Sequence, residues 1–324
     1  MSFGRHSLRI DCEYEAARIG DTLKRTLLDV RRKGIVLGLS GGIDSSVTAA
    51  LAVRALGAER VFGLFMPESD SDPESLALGR ELAAHLGIRA ELEDIAPALS
   101  ALRCYERRNE AVARVIPGFT PEWKFKLVLP GPDHQGLNFY SVVARSPDGR
   151  GVRERLPLDA YLAIVAATNF KQRVRKSVEY HWADRLHFLV AGTPNRLEYD
   201  QGFFVKQGDG AADVKPIAHL YKTQVYAMAE FLGLPASIQA RPPTTDTYSL
   251  PQGQDEFYFS LPYEQLDLCL YAHNHQVPVD EVAAATGLTV DQVLHVFKDI
   301  DTKRSTTRHL HKRPALVEEI ADVG

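Results

Sequence analysis

One stretch of the sequence, residues 34–48, limits what this chain can fold into more than any other. It reads GIVLGLSGGIDSSVT, in which an apolar run at 35–37 leads into a turn of glycine and serine, and an alanine-rich stretch follows at 47–56. This order predicts a buried strand, a tight turn and the start of a helix. Gly41 and Gly42 have no Cβ, so they can adopt positive φ and let a ligand approach the backbone closely.

The same turn has the properties of an anion-binding site. The first amides of an α-helix have no intrahelical acceptor, and the helix dipole places partial positive charge there. Ser40, Ser45 and Ser46 add hydroxyl donors. We therefore predict a site for a phosphate or pyrophosphate group. No lysine follows the glycines as the GxxxxGK[ST] pattern requires, so this is a different type of phosphate loop.

The segments around this turn alternate between predicted strands and predicted helices. Further strands are predicted at 60–66, 89–95 and 187–191, and helices at 8–33, 73–86, 158–184 and 222–231. Such alternation predicts an α/β fold with a doubly wound parallel sheet flanked by helices. Ligands of these sheets bind at the carboxyl ends of the strands, which is where the glycine-serine turn is expected.

The composition excludes several classes of protein. Of 324 residues, 45% are hydrophobic and 25% charged, and the net charge of −4 gives no overall basic field for nucleic acid. No stretch approaches the length of a membrane span, and the start of the chain lacks the apolar segment of a signal peptide. Cys12, Cys104 and Cys269 are too scattered for a disulfide framework or a zinc site. We expect buried, inert thiols and a cytoplasmic protein.

Residues 104–158 interrupt the alternation. Residues 123–129 alternate like a strand, and the segments 139–144 and 151–156 flank Ser-Pro-Asp-Gly, which is a strong turn signal. We predict an inserted β-hairpin, which could be a lid, a dimer contact or decoration.

The chain is predicted to form one domain with two regions. Residues 1–260 form the α/β part, which carries the insertion, and residues 261–324 form a helical C-terminal region of the same domain. The loop at 240–260 is rich in Pro, Thr, Gly and Asp and has the composition of a functional loop.

The sequence SGGIDSS resembles the pyrophosphatase loop of the ATP-pyrophosphatase superfamily, and six further segments resemble motifs of NAD synthetases in the same order. These segments are NFKQRVR (169–175), GTPNRLE (192–198), FFVKQGDGAAD (203–213), YKTQV (221–225), GQDE (253–256) and HKR (311–313). The resemblance covers residues 8–100 and 159–314. It implies an adenine-nucleotide alpha-hydrolase-like fold.

The resemblance implies ATP-dependent amidation of deamido-NAD to NAD. The nicotinate carboxylate is a poor electrophile for ammonia, so transfer to AMP first gives a mixed anhydride and releases pyrophosphate. Ammonia then attacks, giving NAD and AMP. Positioning and charge neutralisation do most of the work in such transfers. ATP as co-substrate, Mg²⁺ and a homodimer are further implications.

The expected roles of individual residues follow from this chemistry. The expected catalytic residues are Asp44, Ser46 and Lys206. The expected ATP-binding residues are Ser40, Gly41, Gly42, Asp44, Ser45, Ser46, Thr193 and Lys206. The expected substrate-binding residues are Asn169, Arg173, Asp209, Asp213, His311 and Lys312. Asp44 and Glu198 are the expected Mg²⁺ ligands, because this ion prefers hard oxygen donors and phosphates fill its remaining positions.

Plainer interpretations of the same residues stay open. Glu198 could be a solvated loop carboxylate, and Asp209 and Asp213 could be turn formers. Arg173 could be a charge on a helix surface. The HKR segment could be a solvated basic tail.

The sequence departs from the family pattern at several positions. Val205 stands where the family usually has threonine, Lys176 replaces a usual methionine, and Pro194 stiffens the GTxN turn. Amidation of a different carboxylate by a related ligase is therefore an alternative. Only about 33 residues precede the first predicted strand, too few for the glutaminase domain of glutamine-dependent members. We expect free ammonia, or ammonia from a separate glutaminase subunit.

Two other functions have weaker support in the sequence. Residues 278–293 have the rhythm of a helix-turn-helix with Gly287 at the turn. The second helix begins with Asp291 and carries no Arg or Lys before Lys298, whereas a helix that contacts base edges usually presents such side chains. A thiolating enzyme of the superfamily would typically use paired cysteines, and the cysteines here are isolated.

Overall fold

The computed structural model describes residues 3–129, 140–245, 247–259, 261–318 and 320, with only the backbone of Asp255. Phe139, where one strand of the insertion was predicted to begin, lies outside the described residues.

Seven strands and twelve α-helices make up the described part of the chain. The strands are β1 (Ile35–Gly38), β2 (Val61–Phe65), β3 (Arg89–Leu92), β4 (Lys124–Val128), β5 (Ser141–Arg145), β6 (Gly151–Arg155) and β7 (Leu189–Val190). The helices are α1 (Cys12–Asp29), α2 (Ile43–Leu56), α3 (Pro73–Leu86), α4 (Ala96–Ala101), α5 (Cys104–Ala113), α6 (Leu158–Leu186), α7 (Arg196–Gln201), α8 (Lys222–Phe231), α9 (Ala236–Ala240), α10 (Tyr263–Asn274), α11 (Val279–Thr286) and α12 (Val290–Thr307). Short 3₁₀ turns lie at Arg5–Leu8, Ala58–Arg60 and Arg308–Leu310, and a π-helical turn at Asp255–Phe259.

A parallel sheet with strand order β3-β2-β1-β7 forms the centre of the molecule. Strand β1 pairs with β2 on one side and with β7 on the other, and Ile35 is in register with both Val61 and Leu189. The order of the strands reverses beside β1, so its carboxyl end opens at the topological switch point, where ligands of such sheets bind.

Helices cover both faces of this sheet because successive side chains of β1 point to opposite faces. Ile35 and Leu37 belong to a core with residues of α1, α2, α3 and α8. Val36 belongs to a second core on the other face, with Phe62 of β2 and Trp182 of α6. The predicted doubly wound α/β fold is confirmed.

Helix α3 shows why some boundaries could be predicted exactly from local chemistry. The Asp72 carboxylate accepts a hydrogen bond from the Glu74 amide at 2.9 Å, and Pro73 occupies the first turn. Gly87 ends the helix with φ of 65°. Helix α2, in contrast, begins at Ile43, four residues before the predicted alanine-rich helix.

The insertion contains a three-stranded antiparallel sheet of order β4-β5-β6. The predicted hairpin is confirmed as β5 and β6, and β4 adds a third strand beside β5. Phe125 and Val142 of this sheet are buried with Val112 of α5 and Ile164 of α6. Tyr248, from the loop at 240–260, joins the same core, so the insertion is packed against elements that border the cleft of the main sheet.

The C-terminal region is helical, as predicted. Helices α10, α11 and α12 share a core, and Gly287 adopts φ of 74° between α11 and α12. Val293 and Ile300 of α12 are fully buried in this core. Lys303 donates to the Tyr258 carbonyl and Arg304 to Asp200, so two basic residues near the candidate DNA-binding helix serve internal contacts.

Cys104 and Cys269 are buried, as expected from the sequence, whereas Cys12 is half-buried, so the predicted burial is wrong for Cys12. Burial raises the pKa of all three thiols, which keeps them protonated at neutral pH. In the described part of the chain, no helix combines the length and the apolar character that crossing a membrane requires.

Candidate functional site

A cavity of about 800 Å³ opens at the carboxyl ends of the central strands. Its wall is formed by the turn after β1, the loops after β2 and β7, helix α6 and the loop at 241–254. Most residues expected from the sequence line it. These are Ser40, Gly42, Asp44, Ser45, Asn169, Arg173, Thr193, Glu198, Lys206 and Asp209.

The two glycines of the turn after β1 have different structural roles. Gly41 has φ of 71°. A Cβ there would lie 2.5 Å from the Ser75 carbonyl oxygen, so only glycine fits. Gly42 has φ of −87° and is the N-cap of α2, so its role is to start the helix rather than to adopt positive φ.

The serine hydroxyls mostly brace the turn itself. Ser45 and Ser46 donate to the Gly42 carbonyl at 3.0 and 2.9 Å, and the Ser40 and Ser45 hydroxyls lie 3.1 Å apart. Ser46 has no exposed surface. The structure therefore does not bring the Ser46 hydroxyl to the cavity, which corrects its expected direct contact, whereas Ser40 and Ser45 line the wall.

Asp44, in the first turn of α2, is held by two neighbours from distant parts of the chain. Its Oδ1 accepts a hydrogen bond from Asn195 Nδ2 at 3.0 Å, and its Oδ2 pairs with the Lys222 ammonium. The Lys222 side chain is 3% exposed. Burial alone would lower the pKa of Lys222, but the Asp44 and Glu198 carboxylates outweigh it and hold that pKa above its ordinary value.

Glu198 is the third residue of α7 and forms a capping box with Asn195. Its Oε2 accepts from the Asn195 amide at 3.2 Å, and its Oε1 accepts from Gln254 Nε2 at 3.0 Å. Burial, and then the nearby Asp44 carboxylate, raise the pKa of Glu198. Asn195 thus contacts both carboxylates and fixes their relative orientation.

The donor set of this cluster suits a small hard cation that also binds phosphates. Asp44 and Glu198 supply carboxylate oxygens next to the phosphate loop. Among the described residues, no three His, Cys, Asp or Glu side chains gather around one metal position. One or two carboxylates with phosphates completing the shell is the usual environment of Mg²⁺, so the residues fit this ion.

Two cations beside the turn were not predicted as site residues. Lys222 lies in the YKTQV segment, which was predicted to be a family motif at a helix start, but no role was predicted for the lysine. A lysine at a helix N-terminus opposes the helix dipole, and this was a signal that it has another partner. Arg241 donates to the Ser75 hydroxyl at 2.8 Å and would lie 3.2 Å from a Cβ on Gly41. Its position inside an irregular loop hid it.

The loop at 203–213 brings other expected residues to the cavity. Lys206 donates to the His309 carbonyl at 2.9 Å, and Arg173 donates to the Lys206 carbonyl at 3.3 Å. Asp209 accepts from the Val205 amide at 2.7 Å, and burial raises the pKa of Asp209. These contacts hold α6, the loop and the C-terminal segment together around one side of the cavity.

Three expected substrate-binding residues do not line the cavity. Asp213 accepts a hydrogen bond from the Val190 amide at 2.7 Å and so ties the loop to β7. His311 packs edge-on against the rings of Tyr199 and Phe204, with centroids 4.9 and 5.1 Å away. Lys312 is exposed.

Part of the cavity wall is aromatic and was not predicted. Tyr140 stacks on Tyr161 with centroids 4.6 Å apart, and Phe257 lies 5.8 Å from Tyr140. Tyr140 comes from the insertion and Tyr161 from α6. The insertion therefore contributes directly to the cavity, although no pattern in the sequence indicates which of its residues would do so.

Comparison with known proteins identifies this arrangement. A sequence model described as NAD synthase matches residues 15–115 and 156–314. The chain belongs to the NAD synthase family. The matched segments carry the turn after β1, Asp44, Asn195, Glu198 and Lys222. The family model does not match residues 116–155, which contain β4, β5 and β6.

Members of the NAD synthase family resemble the chain over its full length. The NH(3)-dependent NAD(+) synthetase of Rhizobium meliloti is 56% identical over 324 residues, covering 100% of this chain and 97% of that protein. Two solved structures share the fold. An NMN synthetase from Francisella tularensis has a TM-score of 0.64 at 22% identity, covering 96% of this chain and 100% of that one. An NH3-dependent NAD synthetase from Campylobacter jejuni has a TM-score of 0.63 at 23% identity, with the same coverage.

Proposed function

We propose that this protein is an ammonia-dependent NAD synthetase that converts deamido-NAD, ATP and ammonia into NAD, AMP and pyrophosphate. The observation that carries the proposal is the meeting of Asp44, Glu198 and Lys222 beside the Gly41 turn. Two carboxylates and an ammonium at the N-terminus of a helix form a site for a metal-bound polyphosphate. The full-length likeness to NH(3)-dependent NAD(+) synthetases supports the choice of reaction.

The first step is adenylation of the substrate. An oxygen of the nicotinate carboxylate attacks the α-phosphorus of ATP, the bond to the bridging oxygen breaks, and pyrophosphate leaves with the bonding electrons. The backbone amides at the start of α2 and the hydroxyls of Ser40 and Ser45 hold the leaving pyrophosphate. Lys206 and Arg241, which line the cavity, supply positive charge to the phosphates.

The second step forms the amide. Ammonia attacks the acyl carbon of the mixed anhydride, the bond from carbon to the AMP oxygen breaks, and AMP leaves while the nitrogen releases a proton. Asn169, Arg173 and Asp209, which also line the cavity, orient the deamido-NAD. His311 and Lys312 are kept in this proposal as substrate contacts, although neither lines the cavity.

Asp44 and Glu198 would hold Mg²⁺, with phosphate oxygens as its other ligands. The ion would neutralise charge on the leaving pyrophosphate. Asn195 and Gln254 keep the two carboxylates in place through the hydrogen bonds that they make. We further propose a cytoplasmic homodimer that uses free ammonia or ammonia from a separate glutaminase subunit.

The test is an assay of product formation by the purified protein. With ATP, Mg²⁺, ammonium and deamido-NAD, we expect NAD, AMP and pyrophosphate in equal amounts, and no turnover with glutamine in place of ammonium. Asp44→Asn should lower pyrophosphate release about 100-fold or more, because a charged group acting on the transition state is lost.

Amidation of a different carboxylate is the alternative hypothesis. A protein with the same fold is named an NMN synthetase, so nicotinate mononucleotide is the informative second substrate. If it is turned over and deamido-NAD is not, the site chemistry stands but the substrate assignment is wrong. Light scattering of the same sample tests the homodimer.

A further inference from the structure

The Lys222 ammonium lies beside the two carboxylates that would hold a metal ion. It pairs with Asp44 and also interacts with Glu198, and the side chains of Lys222 and Asp44 are 3% and 16% exposed. Within the described part of the chain, no other lysine or arginine pairs with either carboxylate. Asn195 and Gln254 contact the carboxylates but carry no charge.

We infer that Lys222 acts as a built-in counter-cation, which occupies the Asp44–Glu198 site without metal and is displaced onto a phosphate when metal and nucleotide arrive together. This inference rests on the proposed function, because it takes Asp44 and Glu198 as the metal ligands.

The charges of the cluster explain why such a group is needed. Two neighbouring carboxylates without a cation repel each other, and partial burial removes some of their hydration, which is costly. Lys222 relieves this. Adding a divalent ion to the occupied site would place it next to an ammonium in a region of low dielectric, where like charges repel strongly. A phosphate entering with the metal gives the ammonium a new anionic partner, so metal and nucleotide are expected to bind cooperatively.

The backbone of Lys222 is held so that only its side chain can move. Both carboxylate oxygens of Asp267, on α10, accept from the first amides of α8, at 3.2 Å from Lys222 and 2.7 Å from Thr223. Asp267 has no exposed surface. The Gln224 side chain accepts from the Tyr221 amide at 2.9 Å. With its backbone anchored, the flexible four-carbon stem of lysine allows the ammonium to change partner.

The test measures binding of Mn²⁺ alone, by electron paramagnetic resonance at pH 8.5, to the intact protein and its variants. Mn²⁺ shares the preference of Mg²⁺ for oxygen ligands. We expect Lys222→Met to bind Mn²⁺ about tenfold more tightly than the unmodified protein, equivalent to about 1.4 kcal/mol. We also expect the variant to lose most of the cooperativity between Mn²⁺ and ATP.

Lys303→Met is the matched control. Lys303 is also a buried lysine, 12% exposed and paired with Asp299 at 2.7 Å, but it lies on α12 outside the site. It should leave Mn²⁺ binding unchanged. If Lys222→Met does not fold, Lys222→Arg replaces it: a guanidinium pairs more firmly with a carboxylate, so Mn²⁺ alone should bind no more tightly than to the unmodified protein.

The outcomes separate this inference from the proposed function. If Lys222→Met binds Mn²⁺ no more tightly, or Lys222→Arg binds it more tightly, while Asp44→Asn weakens Mn²⁺–ATP binding, the counter-cation role is overturned and the metal site stands. If Asp44→Asn and Glu198→Gln bind Mn²⁺–ATP as tightly as the unmodified protein, the assignment of the metal ligands fails, and this inference fails with it.

Discussion

Asn195 has the most demanding position of any single residue in the site. It is 1% exposed, its Nδ2 donates to Asp44, and its Oδ1 accepts from the Glu198 amide at 3.2 Å. Its amide therefore has a fixed orientation, with the donor directed at one carboxylate. An aspartate has the same shape but no donor there.

Asn195→Asp should place a carboxylate 3.0 Å from an Asp44 oxygen, in place of a hydrogen-bond donor. We expect a loss of about 1–3 kcal/mol in the free energy of unfolding without metal, because a buried acceptor loses its partner. Mg²⁺ with ATP should restore part of that loss, and kcat/KM for ATP should fall. Chemical denaturation with and without Mg²⁺–ATP, together with steady-state kinetics, measures these changes.

Asn274→Asp is the control for this substitution. Asn274 Oδ1 accepts from Arg304 at 2.6 Å, so a carboxylate there keeps a positive partner away from the cavity. The proposed role of Asn195 in orienting Asp44 and Glu198 would be contradicted by two results together. These are an equal loss of stability in both variants and no stabilisation of Asn195→Asp by Mg²⁺–ATP.

At this scale, the sequence predicted residues that act within one local motif. The Gly41 turn depends on neighbours a few positions away, and its pattern could be recognised. Asn195 was not predicted as a site residue, although it caps α7 beside Glu198 within the GTPNRLE segment. Lys222 acquires its role from Asp44, 178 positions earlier. No local pattern encodes that contact, so the sequence indicated only a helix start. The same holds for Asp267, whose carboxylate caps a helix other than its own.

Among the elements, the turn between β1 and α2 is the most sensitive to change. Gly41→Ala would strain the backbone at φ of 71° and bring a Cβ to 2.5 Å from the Ser75 carbonyl oxygen. Gly87→Ala is a matched control, because φ there is 65° but no atom lies within 4 Å of the added Cβ.

We expect Gly87→Ala to cost about 1 kcal/mol of stability through φ alone, with activity unchanged. Gly41→Ala should cost more, about 2–4 kcal/mol, since α3 or the turn must shift as well. It should also weaken ATP binding, because the amides at the start of α2 are displaced. Equal losses in thermal denaturation, or unchanged ATP binding in Gly41→Ala, would show that the close approach to Ser75 is unimportant.

The insertion shows where prediction of elements stopped. The Ser146–Gly149 turn signalled the hairpin of β5 and β6, because a turn is a local feature. Apolar and polar side chains alternate over residues 123–129, which indicates a strand. This alternation does not indicate which strand it pairs with, so the pairing of β4 with β5 was not predicted. The aromatic wall that includes Tyr140 follows from that packing and was missed with it.

For the molecule as a whole, the division into residues 1–260 and 261–324 of one domain stays a prediction. Contacts between the two regions are polar as well as apolar. Arg304 pairs with Asp200 of α7 at 2.6 Å, and Lys222 is anchored by Asp267. These contacts join the C-terminal helices to the elements that carry the site, so the two regions are expected to unfold together.

We expect one cooperative transition in scanning calorimetry, with a ratio of calorimetric to van't Hoff enthalpy near unity per cooperative unit. Arg304→Ala should lower stability by about 1–3 kcal/mol, a value reduced for its partial exposure, without splitting the transition. Arg5→Ala is the control, because its pair with Glu264 is 83% and 52% exposed and contributes little. Two separate transitions in the unmodified protein would mean that the C-terminal region is an independent domain.

Because Asp267 anchors Lys222, the site can be completed only after Asp267 has been synthesised. Asp44 is synthesised 178 residues before Lys222, and Lys222 is synthesised 45 residues before Asp267. At about 5–20 residues per second this is a wait on the order of 10 s or longer. Until then, the Asp44 carboxylate of a nascent chain lacks its ammonium partner. A product truncated before α10 contains every strand of the central sheet but lacks the Asp267 carboxylate that anchors Lys222.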